Sequence, residues 1–281
     1  MNDRAAHRKN LVLRIASGVV LFPIAVWLTW LGGLPFAALA GAAAAVGAGE
    51  LIAMFGALGV AEIFGILVAA ATPVAAQLVQ GPQLWPAWGS AALAGAVVVL
   101  LSAFLFRRQP VETIPPRIGA VMFSWLYIGL LISTLVGLRR AEDGHGASWV
   151  VLAFVVTWAN DTFAYFAGRA FGRHRMLERI SPKKTWEGFA GGAVGSIVGA
   201  LASRWILPGL DVLSVPQAVL LGAGGAVLGP LGDFCESLVK RAAGVKDSGK
   251  LIPGHGGLLD RIDALLFVAP WVYVWAAYWV R

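Results

Sequence analysis

The chain has 281 residues, of which 58% are hydrophobic and only 13% are charged, and its formal net charge is +7 at pH 7. This composition excludes an ordinary soluble globular domain and indicates an all-α, polytopic integral membrane protein. The Lys and Arg residues are dispersed among short loops between apolar runs, so the positive charge does not indicate a nucleic-acid partner.

Nine apolar runs are each close to the ~20 residues that a helix needs to cross the hydrocarbon core of a bilayer. A basic stretch precedes the first run, but that run is long and has no convincing cleavage pattern, so we interpret it as a retained span. Because Glu50 and Glu62 lie in or beside the second and third runs, eight or ten spans remain alternatives. The predicted spans are residues 13–31, 34–56, 60–79, 84–106, 117–137, 148–168, 188–207, 215–232 and 263–280.

The basic residues collect in alternate loops. When the nine spans are threaded in order, 18 of the 22 Lys and Arg residues lie on the side of the N-terminus. The positive-inside rule assigns that side to the cytoplasm. The pattern therefore predicts a cytoplasmic N-terminus and an external C-terminus.

Polar residues within or beside the spans are concentrated in the second half of the chain. We therefore predict one continuous membrane domain, in which residues 1–140 are architectural and residues 141–281 carry the functional site. Within the seventh span, glycines recur with small-xxx-small spacing, which favours close helix packing in lipid. These glycines are Gly188, Gly192, Gly195 and Gly199, with Gly191 between them.

Asp161 lies well inside the sixth predicted span, in the sequence WANDTFAYFAGR. A carboxylate at that depth costs a few kcal/mol unless it faces a cavity, a metal or a partner. We therefore predict that Asp161 contributes to a functional site, with a hydrogen-bonded interhelical carboxylate as the structural alternative.

The element SPKKTWEG, residues 181–188, immediately precedes the seventh span. Ser181 and Thr185 supply hydroxyl groups, and Lys183 and Lys184 supply positive charge at the N-terminus of a helix. Exposed amides and the helix dipole favour an anion there, so this element predicts phosphate binding. The alternative is that the two lysines only mark the cytoplasmic side.

The segment from Gly232 to Asp263 contains two pairs of carboxylates, Asp233 with Glu236 and Asp260 with Asp263. Each pair has a spacing of three residues and would share one face of a helix. Carboxylates brought together repel one another unless a cation lies between them, and Mg²⁺ prefers oxygen ligands together with substrate phosphates. The spacing therefore predicts a magnesium–phosphate site.

Basic residues and a glycine-rich loop separate the two carboxylate pairs. Glycines around His255 would allow backbone amides to approach phosphate oxygens. The intervening cations are Lys240, Arg241, Lys246 and Lys250.

The pattern S-L-V-K-R-x4-K-D-x5-P-G-H-G-G-x2-D-R-x-D, from Ser237 to Asp263, resembles the signature of the phosphatidate cytidylyltransferase family. The SPKKTWEG element and the pattern N-D-x2-A-Y-x2-G, from Asn160 to Gly168, are similar to that family as well. The polar resemblance covers roughly residues 158–263, whereas the first half matches only as a set of membrane spans.

This resemblance implies that CMP is transferred from CTP to phosphatidate, giving CDP-diacylglycerol and pyrophosphate in phospholipid biosynthesis. It implies Mg²⁺ as a cofactor, K⁺ as a candidate second ion, and a homodimer. In a bacterium the protein would lie in the inner membrane with its active site facing the cytoplasm.

The resemblance also implies roles for individual residues. The implied metal ligands are Asp233, Asp260, Glu236 and Asp263. The implied catalytic residues are Asp233, Asp260, Lys240, Arg241, Lys246 and His255. The implied contacts to CTP or phosphatidate are Ser181, Lys183, Lys184, Thr185, Asp161, Asp247 and Arg261.

Two other functions compete with this interpretation. A CTP-dependent polyprenol or phytol kinase would also need a metal, basic residues and membrane spans, but the contiguous P-G-H-G-G-x2-D-R-x-D pattern argues against it. An ion-coupled transporter could use Asp161, Glu50 and the carboxylates at helix ends. Clustering of the polar residues on one side of the membrane argues against alternating access.

Overall fold

The computed structural model describes residues 22–79, 90–105, 110–141, 144–249 and 256–279. Apart from the connecting loops and short turns, these ranges form nine helices and contain no β-strand, only one isolated antiparallel bridge between Arg175 and Thr185. The helices are α1 Phe22–Leu31, α2 Gly33–Met54, α3 Val60–Leu78, α4 Ser90–Leu105, α5 Val111–Arg139, α6 Gly146–Phe171, α7 Trp186–Ile206, α8 Val215–Ala242 and α9 Leu259–Trp279.

Seven of these helices, namely α2, α3 and α5 to α9, are long and apolar enough to cross a membrane. They confirm the predicted polytopic all-α membrane protein and seven of the nine predicted spans. The described parts of the first and fourth predicted spans form α1 and α4, and the remainder of both lies outside the described residues. The orientation of the helices in a membrane stays a prediction.

The chain divides into two compact units. The first unit contains the residues up to Val136 together with Asp247–Asp260, and the second contains Gly137–Lys246 together with the residues from Arg261 onward. The predicted division at residue 140 into an architectural half and a functional half stays a prediction.

The first unit is built on an α2–α3 hairpin that packs against α4 and α5. Its apolar core includes Ile52 from α2, Phe104 from α4 and Val121 from α5. At the turn of the hairpin, the fully buried Glu62 accepts a hydrogen bond from the amide of Gly59 at 3.0 Å and pairs with Arg117 Nε at 2.9 Å. A buried carboxylate is stable only with such partners, so Glu62 and Arg117 fix the hairpin to α5.

The second unit is built on α6, α7 and α8, and glycines allow α6 and α7 to approach closely. A Cβ atom added at Gly191 would lie 2.3 Å from the Cβ of Ala167, and one added at Gly188 would lie 3.1 Å from the carbonyl oxygen of Ala164. Neither position has room for a larger side chain. The close packing predicted from the glycine spacing is therefore confirmed.

Gly195→Ala should measurably destabilise the second unit. The added Cβ would lie 2.6 Å from the carbonyl oxygen of Ala159 and 2.7 Å from the Cβ of Phe163, so α6 and α7 would have to shift. Overpacking of this kind lowers the free energy of unfolding by about 1–3 kcal/mol. Thermal unfolding in a single detergent would measure the effect as a lower midpoint.

Gly119→Ala in α5 is the matched control, because a Cβ added there meets no atom within 4 Å. Replacing a helical glycine by alanine favours the helix by up to ~1 kcal/mol. The control should therefore unfold at the same temperature as the wild type or slightly above it. Equal midpoints for the two variants would contradict this account of the α6–α7 interface.

Candidate active site

The loop between α6 and α7, residues 172–185, is held in a defined conformation by Glu187. This carboxylate accepts hydrogen bonds from the amides of Arg173 at 3.1 Å and His174 at 3.3 Å, and it contacts His174 Nδ1 at 2.6 Å. The amide of Met176 also donates to the carbonyl oxygen of Lys184 at 3.1 Å. These bonds fold the loop back on itself and fix the backbone at Lys184.

Thr185 ends this loop and caps α7. Its side-chain oxygen accepts a hydrogen bond from the amide of Gly188 at 3.1 Å, and the residue is buried. Threonine at this position satisfies one of the amides that a helix start leaves without a partner. The hydroxyl group is thus committed to the helix start, and the predicted role of Thr185 in substrate binding stays a prediction.

Lys184 reaches from this loop to α8. Its ammonium group lies 2.8 Å from Asp233 Oδ2 and 4.7 Å from the ring centroid of Phe234. Both side chains of the ion pair are partly exposed, at 27% for Lys184 and 34% for Asp233. The neighbouring Lys183 is exposed and Ser181 is half-buried. The structure therefore distinguishes between two lysines that the sequence could not tell apart.

Two further carboxylates share the electrostatic environment of this ion pair. Asp263, in the first turns of α9, is buried and interacts with the charges of Asp233, Asp161 and Lys184. Asp161, in α6, interacts with the charges of Lys184 and Asp233. We call Asp161, Asp233 and Asp263 the acidic cluster. The cluster contains three carboxylates, of which Asp233 contacts the one lysine, and this excess of negative charge suits a further cation.

Asn160 is buried beside the acidic cluster, with only 1% of the residue exposed. Within the described part of the chain, its side-chain amide has no hydrogen-bond partner. A Cβ added at Gly229 would lie 3.9 Å from Asn160 Oδ1, at ordinary van der Waals distance, whereas one added at Gly192 would lie 3.2 Å from Asn160 Nδ2. A buried amide without a hydrogen-bond partner fits a site that receives a polar or charged group.

Glu236 and Lys240 form a separate pair within α8. Glu236 is buried, and its carboxylate contacts the ammonium group of Lys240 one helical turn later. The predicted acidic face of Asp233 and Glu236 is thus divided, since each carboxylate has its own lysine.

Beyond this pair, Arg241 and Lys246 are exposed, and Arg241 reaches the carbonyl oxygens of Ile180 and Val245 at 3.5 Å each.

In the first unit, Asp260 organises the start of α9. Its Oδ2 accepts hydrogen bonds from the amide of Ser248 at 3.0 Å, the hydroxyl of Ser248 at 2.9 Å and the amide of Gly257 at 3.2 Å. Of the remaining predicted site residues, Asp247 and Arg261 are exposed, and His255 lies outside the described residues.

The donor chemistry of the acidic cluster fits Mg²⁺, which takes one or two carboxylates and completes its coordination with water and substrate phosphate. Among the residues that the structure describes, no three or more His, Cys, Asp or Glu side chains are grouped closely enough to hold a metal ion by themselves. Such a site would accordingly depend on oxygen ligands from water and substrate. The predicted metal ligands stay a prediction.

Sequence reasoning missed two residues that organise these sites. Glu50 is an isolated carboxylate in an apolar run, and the sequence alone suggests only ion coupling for it. The free-energy cost of a charge in a membrane span nevertheless indicates a specific partner. Glu187 was visible as an acidic residue in the first turn of α7, where it complements the helix dipole. The sequence could not reveal that Glu187 fixes the preceding loop.

The fold and the site define a polytopic, all-α integral membrane protein in which a lysine-bound acidic cluster is built from α6, α8, α9 and the loop before α7. The chain belongs to the cytidylyltransferase family, whose model matches residues 12–279. This match confirms the family resemblance predicted from the polar motifs.

Curated relatives agree with the family assignment. The chain is 33% identical over 277 residues to the phosphatidate cytidylyltransferase of Brucella abortus, covering 95% of this chain and 94% of the relative. It is 33% identical over 263 residues to that of Bacillus subtilis, covering 92% and 95%. Identity to that of Thermotoga maritima is 40% over 160 residues, covering 56% and 58%. The likeness to the first two extends over nearly the whole chain.

Proposed function

We propose that this protein is a phosphatidate cytidylyltransferase, which transfers CMP from CTP to phosphatidate and gives CDP-diacylglycerol and pyrophosphate in phospholipid biosynthesis. The observation that carries the proposal is the contact of Lys184 with Asp233 beside two further carboxylates, in a chain of the cytidylyltransferase family. Cations and carboxylates at the ends of membrane helices suit a reaction between a soluble nucleotide and a lipid phosphate.

The reaction exchanges one phosphorus–oxygen bond for another. An oxygen of the phosphatidate phosphate forms a bond to the α-phosphorus of CTP, and the bond from that phosphorus to the bridging oxygen of the β-phosphate breaks. The bonding electrons leave with pyrophosphate. Catalysis of such a transfer rests mainly on positioning the two phosphates in line and on stabilising negative charge.

The attacking group needs no strong base. A phosphate monoester has a second pKa of about 6, so the lipid phosphate is already an anion near neutral pH. The difficulty is instead the repulsion between two polyanions. The residues therefore have to supply positive charge and orientation rather than remove a proton.

Lys184 is the cation best suited to this task, because its ammonium group is held beside the acidic cluster by the loop that Glu187 fixes. Lys183, Arg241 and Lys246 are exposed and are proposed as further phosphate contacts. Arginine and lysine at such positions form charge-assisted hydrogen bonds with phosphate oxygens.

We propose Mg²⁺ as the cofactor, with Asp233 and Asp263 of the acidic cluster as its protein ligands. When bound, the metal ion would neutralise charge on the triphosphate and on the departing pyrophosphate. Asp260 and Glu236 are also proposed as ligands on the basis of the sequence. Potassium is proposed as a second ion without an assigned position.

The proposal also states on which side of the membrane the active site lies and how many copies of the chain assemble. We place the active site on the cytoplasmic side of the inner membrane, as supported by the 18 of 22 basic residues that fall on one side of the predicted topology. Phosphatidate would then enter from the bilayer and CTP from the cytoplasm. A homodimer is proposed from the family resemblance alone.

The fate of labelled CTP tests the proposed function. Purified protein would be incubated with phosphatidate, Mg²⁺ and CTP that carries ³²P in either the α or the γ position. The α label should enter the lipid fraction, and the γ label should appear only in pyrophosphate. Label from the γ position in the lipid would identify a kinase instead, and no lipid label from either position would contradict the proposal.

A further inference from the structure

Glu50, near the C-terminal end of α2, binds a segment that follows it by about two hundred residues. Its Oε1 accepts a hydrogen bond from the amide of Leu258 at 3.0 Å, and its Oε2 accepts one from the amide of Leu259 at 2.8 Å. The hydroxyl of Ser248 lies 3.1 Å from the same Oε2. All of these residues belong to the first unit.

These contacts make Glu50 the cap of α9. The amides of Leu258 and Leu259 are at the start of this helix, where backbone donors have no partner within the helix. A carboxylate also complements the positive end of the helix dipole. Capping side chains usually come from the residue just before a helix, whereas here a different helix supplies the cap.

The backbone closes tightly around the Glu50 carboxylate. A Cβ added at Gly249 would lie 2.5 Å from Glu50 Oε1, and one added at Gly257 would lie 2.7 Å from Glu50 Oε2. Only glycine permits the main chain to approach so closely on both sides. The carboxylate therefore lies between Ser248 and Gly249 on one side and Gly257, Leu258 and Leu259 on the other.

Ser248 connects Glu50 to Asp260. The Ser248 hydroxyl lies between the two carboxylates, 3.1 Å from Glu50 Oε2 and 2.9 Å from Asp260 Oδ2. The amides of Ser248 and Gly257 fix the same oxygen of Asp260 at 3.0 and 3.2 Å. Any movement of Ser248 or Gly257 would therefore move the Asp260 side chain, because both residues hydrogen-bond to it.

We infer that Glu50 is a positioning residue for the reaction: by capping α9 and holding Ser248, it sets the orientation of the Asp260 carboxylate. The inference rests on the proposed function, in which Asp260 is a site residue. Glu50 acts only through Ser248 and the α9 amides and has no direct role toward the substrates.

Glu50→Gln tests this role with a nearly isosteric change. The glutamine amide retains one acceptor oxygen but turns an NH₂ group toward a backbone N–H or the Ser248 hydroxyl. We expect kcat per folded molecule to fall about 10- to 100-fold, the range for loss of a charged hydrogen-bond acceptor. The KM for CTP should change by less than about threefold, since the inference assigns Glu50 itself no contact with CTP.

Glu62→Gln is the matched control. Glu62 is a carboxylate of the same unit and is bound to Arg117 and the amide of Gly59 in the α2–α3 hairpin. This variant should unfold at a lower temperature, yet keep kcat per folded molecule within about twofold of wild type. If Glu50→Gln also loses only stability, Glu50 is a structural residue and the inference is wrong.

Hydrogen exchange gives a readout that does not require activity. In Glu50→Gln, the amides of Leu258 and Leu259 should exchange at least about tenfold faster, while those of α2 and α6 exchange at the wild-type rate. Unchanged exchange at the start of α9 would overturn the inference. If the wild-type protein fails to transfer CMP, the proposed function fails, and the exchange experiment still decides whether Glu50 holds this helix.

Ser248→Ala provides a second variant in case Glu50→Gln does not fold. It removes only the hydroxyl that joins the two carboxylates, so we expect a smaller loss in kcat, about 3- to 10-fold, the usual range for a single hydrogen bond. The double variant should lose less than the product of the two single effects, because both act through Asp260. Fully independent effects would contradict the proposed connection.

Discussion

Asp233→Asn is expected to lower cytidylyl transfer about 10²- to 10³-fold while the protein remains folded. The substitution removes one negative charge from the acidic cluster and leaves the shape of the side chain almost unchanged. Loss of one electrostatic contact in a preorganised site typically costs about 2.7–4 kcal/mol in the transition state. Asp233 is thus predicted to have the largest effect on activity of any residue in the cluster.

Stability should change little in the same variant. The ion pair between Asp233 and Lys184 is about one-third exposed, at 34% and 27%, and a pair of this kind contributes about 0–1 kcal/mol. The expected loss in activity is therefore larger than any loss in folding. Turnover per folded molecule, with the folded fraction measured by size-exclusion chromatography and thermal unfolding, separates the two effects.

Asp211→Asn is the matched control for this prediction. Asp211 is exposed in the turn before α8, and Asp233 lies eighteen residues into that helix, or about 27 Å along its axis. The control makes the same change in charge within the same unit, so it should retain wild-type turnover. Comparable losses in both variants would show that net charge, rather than the acidic cluster, determines activity.

The helices could be predicted from the sequence because each requires only a local property. An apolar run of about 20 residues must satisfy its own backbone in lipid, so hydropathy identifies the span without knowledge of its neighbours. The glycine spacing in α7 was informative for the same reason, because residues four apart lie on one helix face. The positions of α2, α3 and α5 to α9 followed directly.

The pairing of charged side chains was less predictable, because it depends on which helix faces meet. Asp233 and Glu236 do lie three residues apart on α8, but Lys240 is one turn from Glu236 and Lys184 comes from a different loop. Helical periodicity alone cannot choose between these partners. The sequence therefore indicated residues that form ion pairs in the structure, although it assigned Asp233 and Glu236 to one shared acidic face.

The contact between Glu50 and Ser248 spans 198 residues of sequence, which is beyond any local pattern. A single sequence shows that a carboxylate lies in an apolar run, and the high cost of that position implies a partner. It does not show which of many polar groups that partner is. Three-dimensional packing of α2 against the start of α9 supplies the missing information.

Lys184→Met is expected to lower kcat/KM for CTP about 10- to 100-fold. Methionine retains the length and apolar stem of the side chain but removes the charge, which leaves the acidic cluster without the cation that contacts Asp233. Hydrogen bonds from charged groups contribute about 1.5–3 kcal/mol, which corresponds to this range. The loss should appear largely in KM, since the remaining carboxylates would repel the triphosphate before the reaction begins.

Lys183→Met distinguishes a specific contact from general positive charge. It makes the same substitution at the adjacent lysine, which is exposed, whereas Lys184 is held between Asp233 and the ring of Phe234. If the geometry of Lys184 matters, the Lys183 variant should lose less than about threefold in kcat/KM, as expected for a solvated surface charge. If both variants lose equally, the two lysines act as a diffuse basic patch, and the contact between Lys184 and Asp233 has no particular role in binding CTP.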